Sequence, residues 1–270
     1  MKTRYLLLVF FFLICFQQEI YSQFGFSHEV GIINGPVTFY SDFGVRNDIE
    51  TNLGNVGYGV GLIHYINFSY RADCNCYTRD TYFNDHFKLR NEIDYHKTNF
   101  DHFGIWVDPD RQSTFANQLR AMKGSSTVFD IGSQLEYFPF SIRRFSATPG
   151  SFAPFISFGV HWVNFDPEVY SELGALDTPI SVSGGNGKYY GSFQQEPDTT
   201  WSVVWSLGIR YKLTIMSDLM LDGRWQYYFS NWVDGLNPSL ENNGGRVPVP
   251  ENKANDWIYW LNFGYIYYIN

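Results

Sequence analysis

Residues Trp257 to Ile269 alternate in a way that leaves few folds open. Trp257, Tyr259, Leu261, Phe263, Tyr265, Tyr267 and Ile269 share one face of an extended strand, because successive side chains point to opposite sides. The other face carries Asn262 and Gly264 beside Ile258, Trp260, Ile266 and Tyr268. A face so rich in rings must meet either a packed core or hydrocarbon.

Seven earlier runs repeat the pattern. Ser27 to Gly35 is the weakest. In Asn55–Phe68, Val56, Tyr58, Val60, Leu62, Ile66 and Phe68 oppose Gly57, Gly59 and Gly61, glycines that allow curvature in a small barrel. In Asp85–Lys97, Phe87, Leu89, Ile93 and Tyr95 oppose Lys88, Arg90, Glu92, Asp94 and His96. Five ionisable residues on one strand face fit a polar barrel interior where opposite charges pair, or the solvated face of a soluble sheet. Thr127–Phe138 sets Phe129, Ile131, Leu135 and Tyr137 against Asp130, Gln134 and Glu136. Phe152–Asn164 sets Ile156, Phe158, Val160 and Trp162 against Ser157, Gly159 and His161. Thr200–Leu213 opposes Trp201, Val203, Trp205, Leu207, Ile209, Tyr211 and Leu213 to Ser202, Ser206, Gly208, Arg210 and Lys212. Leu219–Asn231 opposes Leu219, Leu221, Trp225, Tyr227 and Phe229 to Asp222, Arg224, Gln226 and Ser230.

Aromatics make up 20% of the 270 residues and charged residues only 17%. Soluble domains carry roughly 25% charge, whereas membrane barrels use aromatic girdles at both interfaces. The N-terminus reads as a secretory signal peptide over residues 1–22: Lys2 and Arg4, an apolar run from Tyr5 to Phe16, then Ser22 before a cut ahead of Gln23. A spanning helix needs about 20 apolar residues, and Gln17-Gln18-Glu19 interrupts this run. Cleavage leaves 17 basic and 26 acidic side chains, a formal charge of −9, which disfavours nucleic acid as a partner. Of the two remaining cysteines, Cys74 and Cys76 form a tight local disulfide, stay as thiols, or serve a redox or metal role; all stay open.

The expectation is an all-β fold, a transmembrane antiparallel up-and-down barrel of eight strands over residues 23–270, with ten strands as the variant. Outer loops fall at 36–54, 98–126, 165–199 and 232–255, and inner turns at 69–84, 139–151 and 214–218, with a short helix near Arg111–Met122. Eight strands leave an interior that side chains fill. The expected lumen charge network is Lys88, Arg90, Glu92, Asp94, Asp130, Glu136, Arg210, Asp222 and Arg224.

Catalytic constellations are sparse. His161 and Ser157 share an inner face, but four residues on a strand separate them by roughly 13 Å, too far for a direct proton relay. Asp85-His86 and Asp101-His102 resemble the Asp-His pairs of outer-membrane proteases, yet strand neighbours point opposite ways. The acidic 165–199 loop and Asp108-Pro109-Asp110 match no calcium loop, and Ser183 to Lys188 lacks the strand and helix a phosphate loop needs.

Asn262 to Ile269 resembles the C-terminal sorting signal of bacterial outer-membrane barrels, with Asn270 as one extra residue. Most of the mature chain is similar to the small eight-stranded barrels of that class. Tyr40–Gly44 and His64–Cys76 also resemble an uncharacterised Bacteroidota-type barrel family with no assigned activity. The resemblance implies a Gram-negative outer-membrane location, contact with outer-membrane lipid, and partnership with other outer-membrane proteins of a secretion or assembly complex. The expected role is a non-enzymatic structural or accessory subunit without cofactor. A small-solute or ion channel and a lipid-modifying barrel enzyme are the alternatives.

Overall fold

The computed structural model describes residues 26–45, 48–70, 81–182, 189–237 and 254–269. Cys74, Cys76, Ser183–Lys188 and the expected signal peptide lie outside them.

Eight antiparallel strands close on themselves in chain order: β1 (Ser27–Tyr40), β2 (Val56–Asn67), β3 (Phe87–Asp101), β4 (Met122–Tyr137), β5 (Phe152–Ser171), β6 (Asp198–Thr214), β7 (Ser217–Tyr228) and β8 (Trp257–Ile269). The eight-strand count holds, and the ring closes without a further strand. Four short helices sit in the connections: α1 (Ile49–Asn52), α2 (Tyr82–His86), α3 (Thr114–Ala121) and α4 (Ile142–Ala147). The helix expected near Arg111–Met122 is α3, started by the Ser113 side chain accepting from the Ala116 amide. Asp85 and His86 belong to α2, so β3 begins two residues later than its alternation suggests.

Closure comes from the β1–β8 seam, where Val30 faces Tyr267 and Thr38 faces Tyr259. The ladder skips Gly35 and Pro36, whose neighbours Asn34 and Val37 pair with Phe263 and Trp260. Proline has no amide to give, and the gap places it where none is needed. A Cβ at Gly35 would run into the Leu261 carbonyl.

The outward faces are those the alternation assigns. Trp201 is 56% exposed and Leu207 59%, while Arg210 and Lys212 on the opposite face of the same strand are fully buried. Outside, Trp205 stacks on Trp225 at 4.0 Å and Tyr40 on Trp257 at 3.8 Å.

The sense of the alternation then inverts toward one end of the barrel. On β5, Ile156, Phe158, Val160 and Trp162 point out and Ser157 and His161 in; beyond them Asn164, Asp166 and Glu168 point out and Val163, Phe165 and Val169 in. On β4 the exchange comes between Thr127 and Phe129, and on β3 between Tyr95 and Lys97. Period and register continue, but the outward residues change from apolar to polar. From Phe152 to Trp162 the apolar outer stretch is about 33 Å of strand, roughly 25 Å tall at the usual tilt, close to the apolar band of a membrane barrel.

Past the inversion the strands build a dome. β4 and β5 pair as far as Met122–Ser171, while β5 and β6 pair only to Phe165–Asp198, so the β3–β4–β5 wall stands higher than the rest. β1 also continues to Tyr40, leaving the first outer connection (41–55) shorter than the inner one at 68–86. The loops expected at 36–54, 98–126 and 165–199 are therefore partly strand.

Gly35→Val is expected to block closure of the seam. Refolding into detergent micelles followed by unheated gel mobility should show a several-fold loss of the compact form.

Candidate functional site: the charged lumen

The polar faces of all eight strands meet in the cylinder, and the register decides who meets whom. Lys88, Arg90, Glu92, Asp94, Asp130, Glu136, Arg210, Asp222 and Arg224 are all brought inside at 0–2% exposure. Glu29, Lys212, Asp218 and His161 join them.

Two linked clusters result. Toward the inner end Glu29 accepts from Lys88 at 2.6 Å and from Arg210 at 2.8 Å, and Asp218 faces Lys212 at 3.0 Å. Arg210 lies over the Tyr65 ring at 4.1 Å and Lys212 over Tyr268 at 3.6 Å. Above, Arg224 reaches from β7 across the lumen to Glu92 at 2.6 Å and Asp94 at 2.7 Å, with its plane over Trp260. Arg90 touches Glu92 and extends to Asp222 at 3.0 Å and Glu136 at 3.2 Å; Tyr65 donates to the same Glu136, joining the clusters.

Asp94 and Asp130 are direct cross-strand neighbours, a like-charge pair that opposes folding when left alone. Arg224 answers Asp94, and His161 answers Asp130 at 2.5 Å. Among the described residues the lumen holds seven fully buried carboxyls (Glu29, Glu92, Asp94, Asp130, Glu136, Asp218 and Asp222) against five Lys and Arg.

The chamber is sealed above and below. Phe39, Phe43, Phe100, Tyr228 and Val128 pack over its outer end; Phe138, Phe155 and the α4 residues Ile142 and Phe145 pack under its inner end. The Ser141 side chain caps α4 through the Arg144 amide, holding that helix across the mouth.

Glu92, Asp94 and His161 bring candidate metal-ligand atoms within 4.8 Å of one another, the one such trio among the described residues. The Arg224 guanidinium already occupies the space between the two carboxylates, so a metal ion there would lie against a fixed positive charge. The trio does not suit a metal. Nor do His161 and Ser157 form a relay: Ser157 donates to Gln134 at 2.7 Å and His161 is engaged by Asp130. The Asp-His pairs separate as well: Asp85 accepts from the Arg143 amide and His86 bonds the Phe138 carbonyl, while Asp101 pairs with Lys123 and the His102 ring packs on Phe43.

A second acidic group, one the alternation gives no hint of, lies under the dome. Asp234 accepts from the Asp42 and Leu236 amides at 2.9 Å each, and Asp256 from the Val233 amide at 2.8 Å. Burial pushes Asp234 up to about 7 from the ordinary 3.8. Burial, with the nearby charges of Asp234 and Asp42, raises Asp256 well above that value.

No protein-family model matches the chain, and no curated protein matches it either. Solved structures with a similar course of the chain include Neisserial surface protein A, 12% identical, covering 89% of this chain and 96% of that one with a TM-score of 0.42. Outer membrane protein OprG of Pseudomonas aeruginosa is 15% identical, with 90% and 97% covered and a TM-score of 0.41. The outer membrane protease OmpT of Escherichia coli is 9% identical, with 93% and 99% covered and a TM-score of 0.36. At these identities the likeness is one of fold, and no role passes from them to this chain. The class is a closed eight-stranded antiparallel barrel, apolar outside and charged within.

Two outcomes follow from the geometry. Arg224→Met strands Glu92 and Asp94, and urea titration in micelles followed by tryptophan fluorescence should show a loss of about 3–5 kcal/mol; adding Asp94→Asn should recover part of it. The raised Asp234 and Asp256 favour the folded dome fully below about pH 4, and that contribution is lost as pH rises through about 7. Hydrogen exchange over 229–237, corrected for intrinsic rates, should show weaker protection at pH 8 than at pH 5, and Asp256→Asn should flatten the difference.

Proposed function

We propose that this chain is an integral barrel of a bacterial outer membrane, exported by its N-terminal leader and serving as a structural or accessory subunit of an outer-membrane complex. The packed lumen is the observation that carries this reading: its ionic side chains are fully buried and sealed between two apolar layers. Transport needs a route and catalysis needs access, and the cylinder's interior supports neither. Its placement rests on the outward apolar band, about one bilayer tall, and on the inversion of polarity beyond it. The surfaces left to act are the lipid-facing wall and the dome.

Purified protein refolded into a planar bilayer is expected to give no steady conductance steps at about 1 M salt. Reproducible unitary steps would overturn the packed-lumen reading in favour of a channel, and altered lipid A in an overexpressing strain would overturn it in favour of an enzyme.

A further inference from the structure

The lipid-facing wall is not uniform. On β5 to β8 the apolar band carries aliphatic and aromatic side chains with Pro154 and Gly223. On β1 to β4 a line of four polar side chains crosses it: His28, His64, Asn91 and Ser133. On β2, β3 and β4 aliphatic neighbours bracket the line, Ile66 and Leu62 around His64, Leu89 and Ile93 around Asn91, Leu135 and Ile131 around Ser133. It therefore lies within hydrocarbon under the membrane placement proposed above, on which this inference rests. Polar groups there are costly unless paired.

The four residues pair with one another in a fixed direction. Ser133 Oγ donates to Asn91 Oδ1 at 2.7 Å, and Asn91 Nδ2 lies 3.3 Å from His64 Nδ1. That contact makes Nδ1 the acceptor and puts the His64 proton on Nε2, which faces His28 Nδ1 at 3.0 Å. Asn91 holds the middle of the line. Its amide has two N–H donors and two carbonyl lone pairs; the chain uses one of each. One donor and one acceptor remain on the same amide, on the outward side chain of β3.

A side chain with one spare donor and one spare acceptor is its own complement across a two-fold axis, and isologous interfaces require that self-complementarity. The adjoining wall supplies relief. Ile32, Val60, Leu62, Ile93, Tyr95 and Phe129 surround a depression of about 230 Å³ beside the line. We propose that two copies of this chain associate in the membrane through the β2–β3 wall, with the two Asn91 amides hydrogen-bonded to each other on a two-fold axis along the bilayer normal. His64 and Ser133 act as positioning residues, holding each amide so that its free donor and acceptor face outward.

The test measures association in vesicles by energy transfer between donor- and acceptor-labelled full-length copies. Labels sit on a single thiol in the exposed outer connection of the mature chain, from which the leader with Cys15 has been removed (Asp110→Cys, with Cys74→Ser and Cys76→Ser). Transfer above random proximity should persist on lipid dilution, and Asn91→Leu should weaken association on the order of tenfold, since two membrane side-chain hydrogen bonds are lost. Unheated gel mobility of Asn91→Leu should match the parent, showing an intact barrel. In a second variant, Asn91→Cys in the Cys74→Ser, Cys76→Ser background should oxidise to a covalent dimer, whereas Leu219→Cys on the opposite wall should not. Transfer no higher than random for the parent, undiminished transfer for Asn91→Leu, or equal cross-linking at Leu219 would each overturn the proposal. A conductance result bears only on the lumen and leaves this outcome separate.

Discussion

The reach of Arg224 across the lumen to Glu92 and Asp94 organises the barrel. A strand wall in contact with hydrocarbon must turn its polar face inward, and a cylinder of eight strands is too narrow to hydrate that face fully. Charges placed there lose water and must find one another across the ring. Arg224 lies four strands from β3, so its contacts exist only when the ring is closed, and leaving either side unpaired is far costlier than a surface charge would be. Closure, register and lumen pairing are thus one condition seen from three sides.

The same logic explains what the lumen does not contain. Acids and a histidine gathered within ligand distance look like a metal centre until the guanidinium between them is counted. Histidine and serine on one inner face look like a relay until Gln134 and Asp130 claim them. In this buried chamber the groups that look chemical are held by structural partners, Ser157 by Gln134, His161 by Asp130, and Glu92 and Asp94 by Arg224.

Much of this was legible in the amino-acid order. Alternation assigned the outward rings of β5, β6 and β8 and the inward charges of β3 and β7, because a period of two survives whatever the partner strand is. It did not reveal that Glu29 bridges Lys88 and Arg210, since those contacts cross the ring between strands distant in sequence. Nor did it reveal where β1, β4 and β5 end. Asp166, Glu168 and Val169 read as loop because apolar-out was the expected sense; the same strand continues there with its polarity exchanged. His28, His64, Asn91 and Ser133 escaped notice for a related reason. Each interrupts an apolar face within its own strand, and only the register lines them up.

The unequal heights of the strands shape what a molecule approaching that end of the barrel encounters. With β3, β4 and β5 standing above their neighbours, the crown is slanted, and the bridge between Phe193 and Leu236 ties two of the loops on its lower side. A bulky molecule descending from outside strikes the tall parapet of Asp166, Glu168 and Tyr170 first. Any large molecule nearing this end thus contacts an acidic ridge, while the shorter flank lies in its steric shadow.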